Sequence, residues 1–335
     1  LMERIKGYHV VQSWGNDRWY MNHFRHYVVG AVILLLLAMP TFAALNLNGF
    51  TIEEPLIPAN EIKRGGPPRD GIPALINPQF IDSQNLKLNK AQRAQRVLAI
   101  HTGNTAKAYP VAILNFHELV NDKVNSQPIL VSYCPLCGTG MVFSRQVKGK
   151  TLTFGVSGLL YNSNLLMYDH ETESLWSQAQ GLAISGPMKG AKLQWLEVSH
   201  LPLDAWIEKH PTTRVLSKQT GYTKNYGRNP YPSYEHSERL WFDVNHRDDR
   251  YRRKEWIVAV NVKGNVKAYP YSELAETVGL VKDTVGGIEL VISYDAAAHY
   301  ATITAASGDS VGVIYSYWFS WIATFPDSPV YRAQN

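Results

Sequence analysis

One tetrapeptide occurs twice in this chain, and it limits the fold more than any other feature. Lys107-Ala108-Tyr109-Pro110 recurs as Lys267-Ala268-Tyr269-Pro270. The flanking residues recur in the same order. Val97-Leu98-Ala99-Ile100 is echoed by Ile257-Val258-Ala259-Val260, and Asp122 and Val124 by Asp283 and Val285. Ile129-Leu130-Val131-Ser132-Tyr133 matches Leu290-Val291-Ile292-Ser293-Tyr294, with one residue inserted between the blocks. Self-similarity of this kind predicts one supersecondary unit built twice. The units themselves read as β structure. Val97–Ile100, Ile129–Tyr133, Met141–Phe143, Leu152–Val156, Leu165–Tyr168 and Leu193–Val198 are short runs of β-branched and aromatic residues between Gly, Asn and Asp. Helical patterns are few: Val111–Val120 after Pro110, and Leu203–Lys209 ahead of Pro211. The expected fold is mainly β with short helices, in two related β lobes from an internal duplication, the second degenerate.

An apolar segment precedes the lobes. Tyr27–Leu47 carries no charged side chain, and roughly 20 apolar residues suffice to cross a bilayer as a helix. Trp14, Trp19, Tyr20 and Phe24 lie ahead of it as an interfacial belt would, with Arg18 and Arg25 on the same side. The positive-inside bias then puts the N-terminus in the cytoplasm and the rest outside. That makes a single-pass inner-membrane protein with a periplasmic body if the source is a Gram-negative bacterium. Small residues at Thr41-Phe42-Ala43-Ala44 would suit a cleaved leader, but the long stretch before the apolar run favours a retained anchor.

The expected organisation is a cytoplasmic segment 1–26, a membrane helix 27–47, a connector 48–80, a first lobe 81–253 and a second lobe 254–335. The connector holds Pro55, Pro58, Pro67, Pro68, Pro73 and Pro78 and reads as extended, laid onto the domain surface. The formal charge of +5 is mild. The densest basic run, Arg247 to Lys254, is interleaved with Asp248 and Asp249, a solvated and ion-paired pattern that argues against nucleic acid as a partner.

The only two cysteines, Cys134 and Cys137, stand in Tyr133-Cys134-Pro135-Leu136-Cys137-Gly138. Three chemistries use this spacing. A redox dithiol normally opens a helix, whereas Gly138-Thr139-Gly140 and a strand-like run follow here. A metal knuckle needs further ligands, and no second cysteine pair exists. A plain disulfide suits an oxidising compartment. In the second lobe Asp295 and Ala298 stand at the cysteine positions, Thr277 at His117 and Asn261 at His101. The repeat unit does without these residues, which favours a site in the first lobe. His117 is the candidate third ligand or general base, with Glu118 beside it. Two thiolates with imidazole suit copper, and zinc less well. Asn162, Glu173, Trp176 and Gln178, around an expected hairpin, are candidates to line a pocket beside the cysteines.

Gly71-Ile72-Pro73-Ala74-Leu75, Ala108-Tyr109-Pro110, Ile113-Leu114-Asn115-Phe116-His117-Glu118, Tyr133-Cys134-Pro135-Leu136-Cys137-Gly138-Thr139 and Met167-Tyr168-Asp169 through Ser174-Leu175-Trp176-Ser177-Gln178 together resemble the bacterial domain-of-unknown-function family 3179. The resemblance runs from about residue 70 to the C-terminus. It implies an exported or membrane-anchored protein and strengthens His117 and Glu118, because the family pattern includes His-Glu. Some members are described as selenoproteins, which implies that the chalcogen matters. It supplies no reaction.

Three function classes follow. One is a membrane-anchored copper protein, acting in metal handling or as an accessory subunit of a larger membrane complex. The others are a periplasmic thiol-disulfide oxidoreductase and an interaction scaffold with a bridged cysteine pair. The aromatic run Tyr315–Phe325 reads either as core or as a docking patch for a partner or the bilayer.

Overall fold

The computed structural model describes residues 44–334. The expected cytoplasmic segment and most of the expected membrane span lie outside these residues. The end of that span is different from expectation. Leu45–Leu47 is a strand paired antiparallel with Phe50–Ile52. Asn48 and Gly49 between them both have positive φ (49° and 83°), the geometry that Asn-Gly favours in a two-residue hairpin. The turn signal therefore outweighs helical continuation before Leu47. Among the described residues no helix is long and apolar enough to cross a membrane.

The first repeat stretch forms β1 (Arg96–Thr102), β2 (Thr105–Pro110), α1 (Val111–His117), β3 (Leu119–Val124), β4 (Gln127–Cys134) and β5 (Thr139–Ser144). An inserted sheet follows: β6 (Phe154–Tyr161), β7 (Asn164–Asp169), β8 (Leu175–Ser177) and β9 (Leu182–Ser185). Then come β10 (Ser199–Pro202), α2 (Leu203–Lys209) and β11 (Arg214–Leu216). The second stretch forms β12 (Trp256–Val262), β13 (Asn265–Pro270), α3 (Tyr271–Ala275), β14 (Val281–Val285), β15 (Ile288–Asp295), β16 (Tyr300–Ala305), β17 (Gly312–Tyr317) and α4 (Trp318–Thr324).

The two stretches share register as well as order. Ala99 pairs with Ala108 as Ala259 pairs with Ala268. Asp122 pairs with Ile129 as Asp283 pairs with Leu290. Cys134 pairs with Thr139 as Asp295 pairs with Tyr300. The likeness continues past the repeated blocks. Leu98 faces His200 as Val258 faces Tyr315, and Val215 bridges Ala108 in parallel as Val330 bridges Ala268. Trp206, Ile207, Pro211 and Val215 recur at the same spacing as Trp321, Ile322, Pro326 and Val330. One polar device also occurs in both. Lys107 Nζ and the Tyr109 hydroxyl meet one oxygen of Asp122 at 2.7 Å each. Lys267 and Tyr269 meet Asp283 at 2.6 and 2.9 Å.

Strands from both stretches join in the central sheet, in the order β13-β12-β17-β5-β4-β3. Both faces of this sheet are buried. Val131 and Tyr133 of β4 pack on one apolar cluster, Leu130 and Cys134 on the other. The β1–β2 hairpin belongs to a side sheet with β10 and β11, and β14, β15 and β16 form a separate meander. The proline-rich segment does more than lie on the surface. Lys63–Arg64 edges the inserted sheet, Leu75–Ile76 edges the central sheet, and Phe80–Asp82 edges the side sheet. Leu75, Ile52 and Ile62 are core residues. The aromatic run Tyr315–Phe325 is core, with Trp318, Phe319 and Trp321 all buried. In the basic run, Arg247, Arg250 and Arg252 are ion-paired. Arg253 Nη1 instead donates to the Glu238 carbonyl, and Lys254 is buried, its ammonium donating to the carbonyls of Tyr234, Ser237 and Arg239.

Candidate functional site

β4 and β5 are joined by Pro135-Leu136-Cys137-Gly138. The Cys137 N–H donates to the Cys134 carbonyl at 3.2 Å, closing a turn with proline at its second position. Gly138 has φ +59°, and a Cβ there would come within 2.9 Å of the Trp256 ring. Only glycine meets both conditions. The turn brings two free thiols side by side, Cys134 2% and Cys137 0% exposed. Burial pushes the Cys134 thiol well above its ordinary pKa, and the neighbouring Cys137 adds to this.

The surroundings of the thiols come from three parts of the chain. The Cys137 thiol donates to the Ser163 carbonyl at 3.0 Å. Ser163 belongs to the β6–β7 turn, where Asn162 and Ser163 both have positive φ (49° and 62°). The Tyr317 N–H of β17 donates to the Cys137 carbonyl at 2.8 Å. The Thr139 hydroxyl contacts the Ser316 hydroxyl at 2.9 Å and accepts from Asn164 Nδ2 at 3.3 Å. Gln178 Nε2 donates to the Ser132 hydroxyl (2.8 Å) and the Thr139 carbonyl (3.1 Å). Among the described residues, Gln178 Oε1, Ser163 Oγ and Tyr234 OH are buried without a hydrogen-bond partner. Such groups are rare in folded proteins and cost free energy unless something meets them.

His117 and Glu118 part company. His117 Nδ1 bonds the Pro73 carbonyl and Nε2 the Tyr226 hydroxyl, both at 2.7 Å. Both ring nitrogens are engaged, and burial lowers the imidazole pKa. Among the described residues no three His, Cys, Asp or Glu side chains group as a metal site, so His117 is not brought to the thiols as a third ligand. Glu118 ends α1 with φ +57°, an uncommon backbone for a side chain of its kind. Its carboxyl is buried, within electrostatic reach of the Cys134 sulfur. Burial and that neighbouring sulfur hold the carboxyl well above the usual carboxylate range.

Residues 69–316 match the family described as Protein of unknown function (DUF3179). The chain belongs to the DUF3179 family. Neither a curated protein nor a solved structure matches it. All the candidate residues lie within the DUF3179 match, but they do not form one pocket. Asn162 sits at the hairpin tip beside Ser163, donating to the Ala323 carbonyl at 3.1 Å. Trp176 shares the apolar cluster of the cysteines and is fixed through Nε1 to Asp169 Oδ2 at 2.9 Å. Gln178 lies under the thiol-bearing hairpin. Glu173 is elsewhere: its side chain is 61% exposed and pairs with Arg69 at 2.8 Å. A positive φ of 56° marks it as a turn residue. Sequence reasoning missed Ser163, Thr139 and Ser316 around the DUF3179 thiols, and Tyr234 in the same apolar cluster. The Asn-Ser turn was the one available signal, since the others are ordinary strand or loop residues.

Proposed function

We propose that this DUF3179 protein is anchored in the bacterial inner membrane by its N-terminal apolar segment. Its body lies in the periplasm, where the Cys134–Cys137 turn holds a soft metal ion, copper(I) ahead of zinc. Its role is metal handling, or service as an accessory subunit of a larger membrane complex. We also infer that the two repeat stretches arose by duplication, on the strength of their common register.

One comparison carries the site. At the register-equivalent turn Asp295 and Ala298 replace the cysteines, and Asp295 Oδ1 accepts the Ala298 N–H at 2.9 Å. The turn therefore closes without sulfur, and the buried thiol pair is free to serve chemistry. Soft thiolates select copper(I), and a two-sulfur site asks for no third side chain. That fits the engagement of His117 elsewhere. Both thiols would give up their protons on binding. Glu118, kept toward its neutral form, adds no second negative charge beside them. Burial of both sulfurs weighs against exchange with a protein disulfide, which needs an exposed thiolate.

The test is elemental analysis of full-length protein purified from native membranes without added metal, with thiol titration before and after chelation. One copper per chain, absent from Cys137→Ser, is the expected result. Protein with no stoichiometric metal and two freely titrating thiols would refute the metal site. A second reading rests on the closeness of the sulfurs in one turn. The pair could reduce a small-molecule disulfide, forming the Cys134–Cys137 bond and releasing two small thiols. Metal-free protein that cycles between two thiols and none would support it.

A further inference from the structure

Away from the thiols, a cavity of about 600 Å³ opens between β1, β10 and α2 on one side and β16 on the other. Its wall carries His101, Glu197, Trp206, Lys209 and His210. Trp206 is 4% exposed, and among the described residues its indole N–H has no acceptor. The second stretch holds an internal control. Trp321, at the equivalent helix position, donates its N–H to Ser328 Oγ at 2.8 Å. Thr213 stands where Ser328 stands, yet its hydroxyl donates to the His210 carbonyl at 2.6 Å. The fold has a way to satisfy this indole and does not use it at Trp206, which leaves a buried donor unspent.

The basic groups are stacked and unbalanced. The His210 ring lies 4.2 Å from Trp206 and 4.4 Å from His101, centroid to centroid. Burial lowers the His210 pKa, and the nearby His101 and Lys209 lower it further, the mark of crowded positive charge. Among the described residues Lys209 is in no ion pair. The acid on this wall is Glu197, and burial pushes its carboxyl toward the neutral form. The side contributed by β16 adds Thr302 and Thr304, which are uncharged.

The fold does not require this set. Continuing the shared register, His101, Glu197, Lys209 and His210 correspond to Asn261, Gly312, Thr324 and Phe325. There a Cβ on Gly312 would fall 2.6 Å from the Trp195 side chain, so that Trp195 takes up the space. Donors gathered around a volume suited to a small molecule are an oxyanion-binding arrangement. We propose that this cavity binds a small oxyanion, a carboxylate or phosphate group held by the Lys209 ammonium, the Trp206 N–H and the imidazoles of His101 and His210. It is independent of the thiol site.

Isothermal titration of the full-length chain in detergent, at pH 6.5 in chloride buffer, tests this with two probes, inorganic phosphate and succinate. At least one should bind saturably, and the preferred probe assigns the group. Lys209→Gln and Trp206→Phe should each weaken binding about tenfold, the scale of one hydrogen bond to a charged partner. Lys282→Gln, on the exposed face of β14, should leave binding unchanged. Where Trp206→Phe fails to fold, His101→Asn, which installs the residue of the second stretch, serves in its place. No saturable binding of either anion, or equal binding by Lys209→Gln, overturns the proposal.

Discussion

The Cys137 thiol is hydrogen-bonded to the carbonyl of Ser163, 3.0 Å away at the tip of a hairpin from a different sheet. The sulfurs are thus held by the inserted sheet as well as by their own turn. This relationship separates the proposed metal-binding role from a structural one. Cys137→Ser keeps a donor for Ser163 and should cost about 1 kcal/mol of stability or less, while the proposed copper site predicts a fall from one equivalent to none. Because burial raises the Cys134 thiol, copper should be held more tightly as pH rises, since fewer protons then have to be displaced. Chelator competition between pH 6 and 8 measures this, and an affinity that falls with pH would contradict it.

Glu118 gives a second pH signature. Its carboxyl is raised in the folded chain, whereas in the unfolded chain it ionises near the ordinary value of about 4.3. Above that value the unfolded state loses its proton first. The contribution of Glu118 to stability is therefore full below that pH and is lost as pH rises toward the folded pKa. Glu118→Gln removes this dependence. Denaturant unfolding should show a flatter stability profile above pH 4.5, with the variant more stable than the parent chain at pH 7.

Gly138 and His299 occupy register-equivalent turn positions, with φ of +59° and +52°. Gly138→Ala forces a methyl against Trp256 and Tyr317 and should cost about 2–4 kcal/mol, from backbone strain plus overpacking. His299→Gly, at the exposed turn, relieves strain and should change stability by under about 1 kcal/mol. Equal effects in chemical unfolding would mean that the Trp256 contact is not decisive.

The paired Lys-Tyr-Asp devices differ in depth. The Lys107 and Asp122 side chains are each 7% exposed, against 24% and 17% for Lys267 and Asp283. Asp122→Asn leaves a buried ammonium without its counter-charge and should destabilise by about 3 kcal/mol or more. Asp283→Asn, better solvated, should cost about 1 kcal/mol. Thermal or urea unfolding of the two variants gives the comparison directly.

Much of the β architecture was legible because it is local. Leu203–Lys209 is a helix with the expected bounds, set by Pro202 before it and Pro211 after it. The helix expected over Val111–Val120 stops at His117, where Glu118 turns out of helical geometry. Leu193–Val198 holds only the two-residue strand Trp195–Leu196, since its partner β5 is already flanked by longer strands. The Trp206 and Trp321 correspondence was also present in the sequence. It was hidden because the long insertion between β5 and β10 has no counterpart in the second stretch.

By itself the sequence determined the mainly β character, the short helices, the family and the singular position of the thiol pair. These depend on side-chain period, turn residues and motifs read along the chain. Only the tertiary structure decided which residues meet the thiols. His117 and Glu118 are adjacent in sequence, yet one bonds Pro73 and Tyr226 while the carboxyl of the other is buried within electrostatic reach of Cys134. The helix ends between them and Glu118 leaves helical geometry with φ +57°, so the two side chains have different surroundings. Ser163, Ser316 and Gln178 reach the site from distant parts of the chain, by packing that no local pattern encodes.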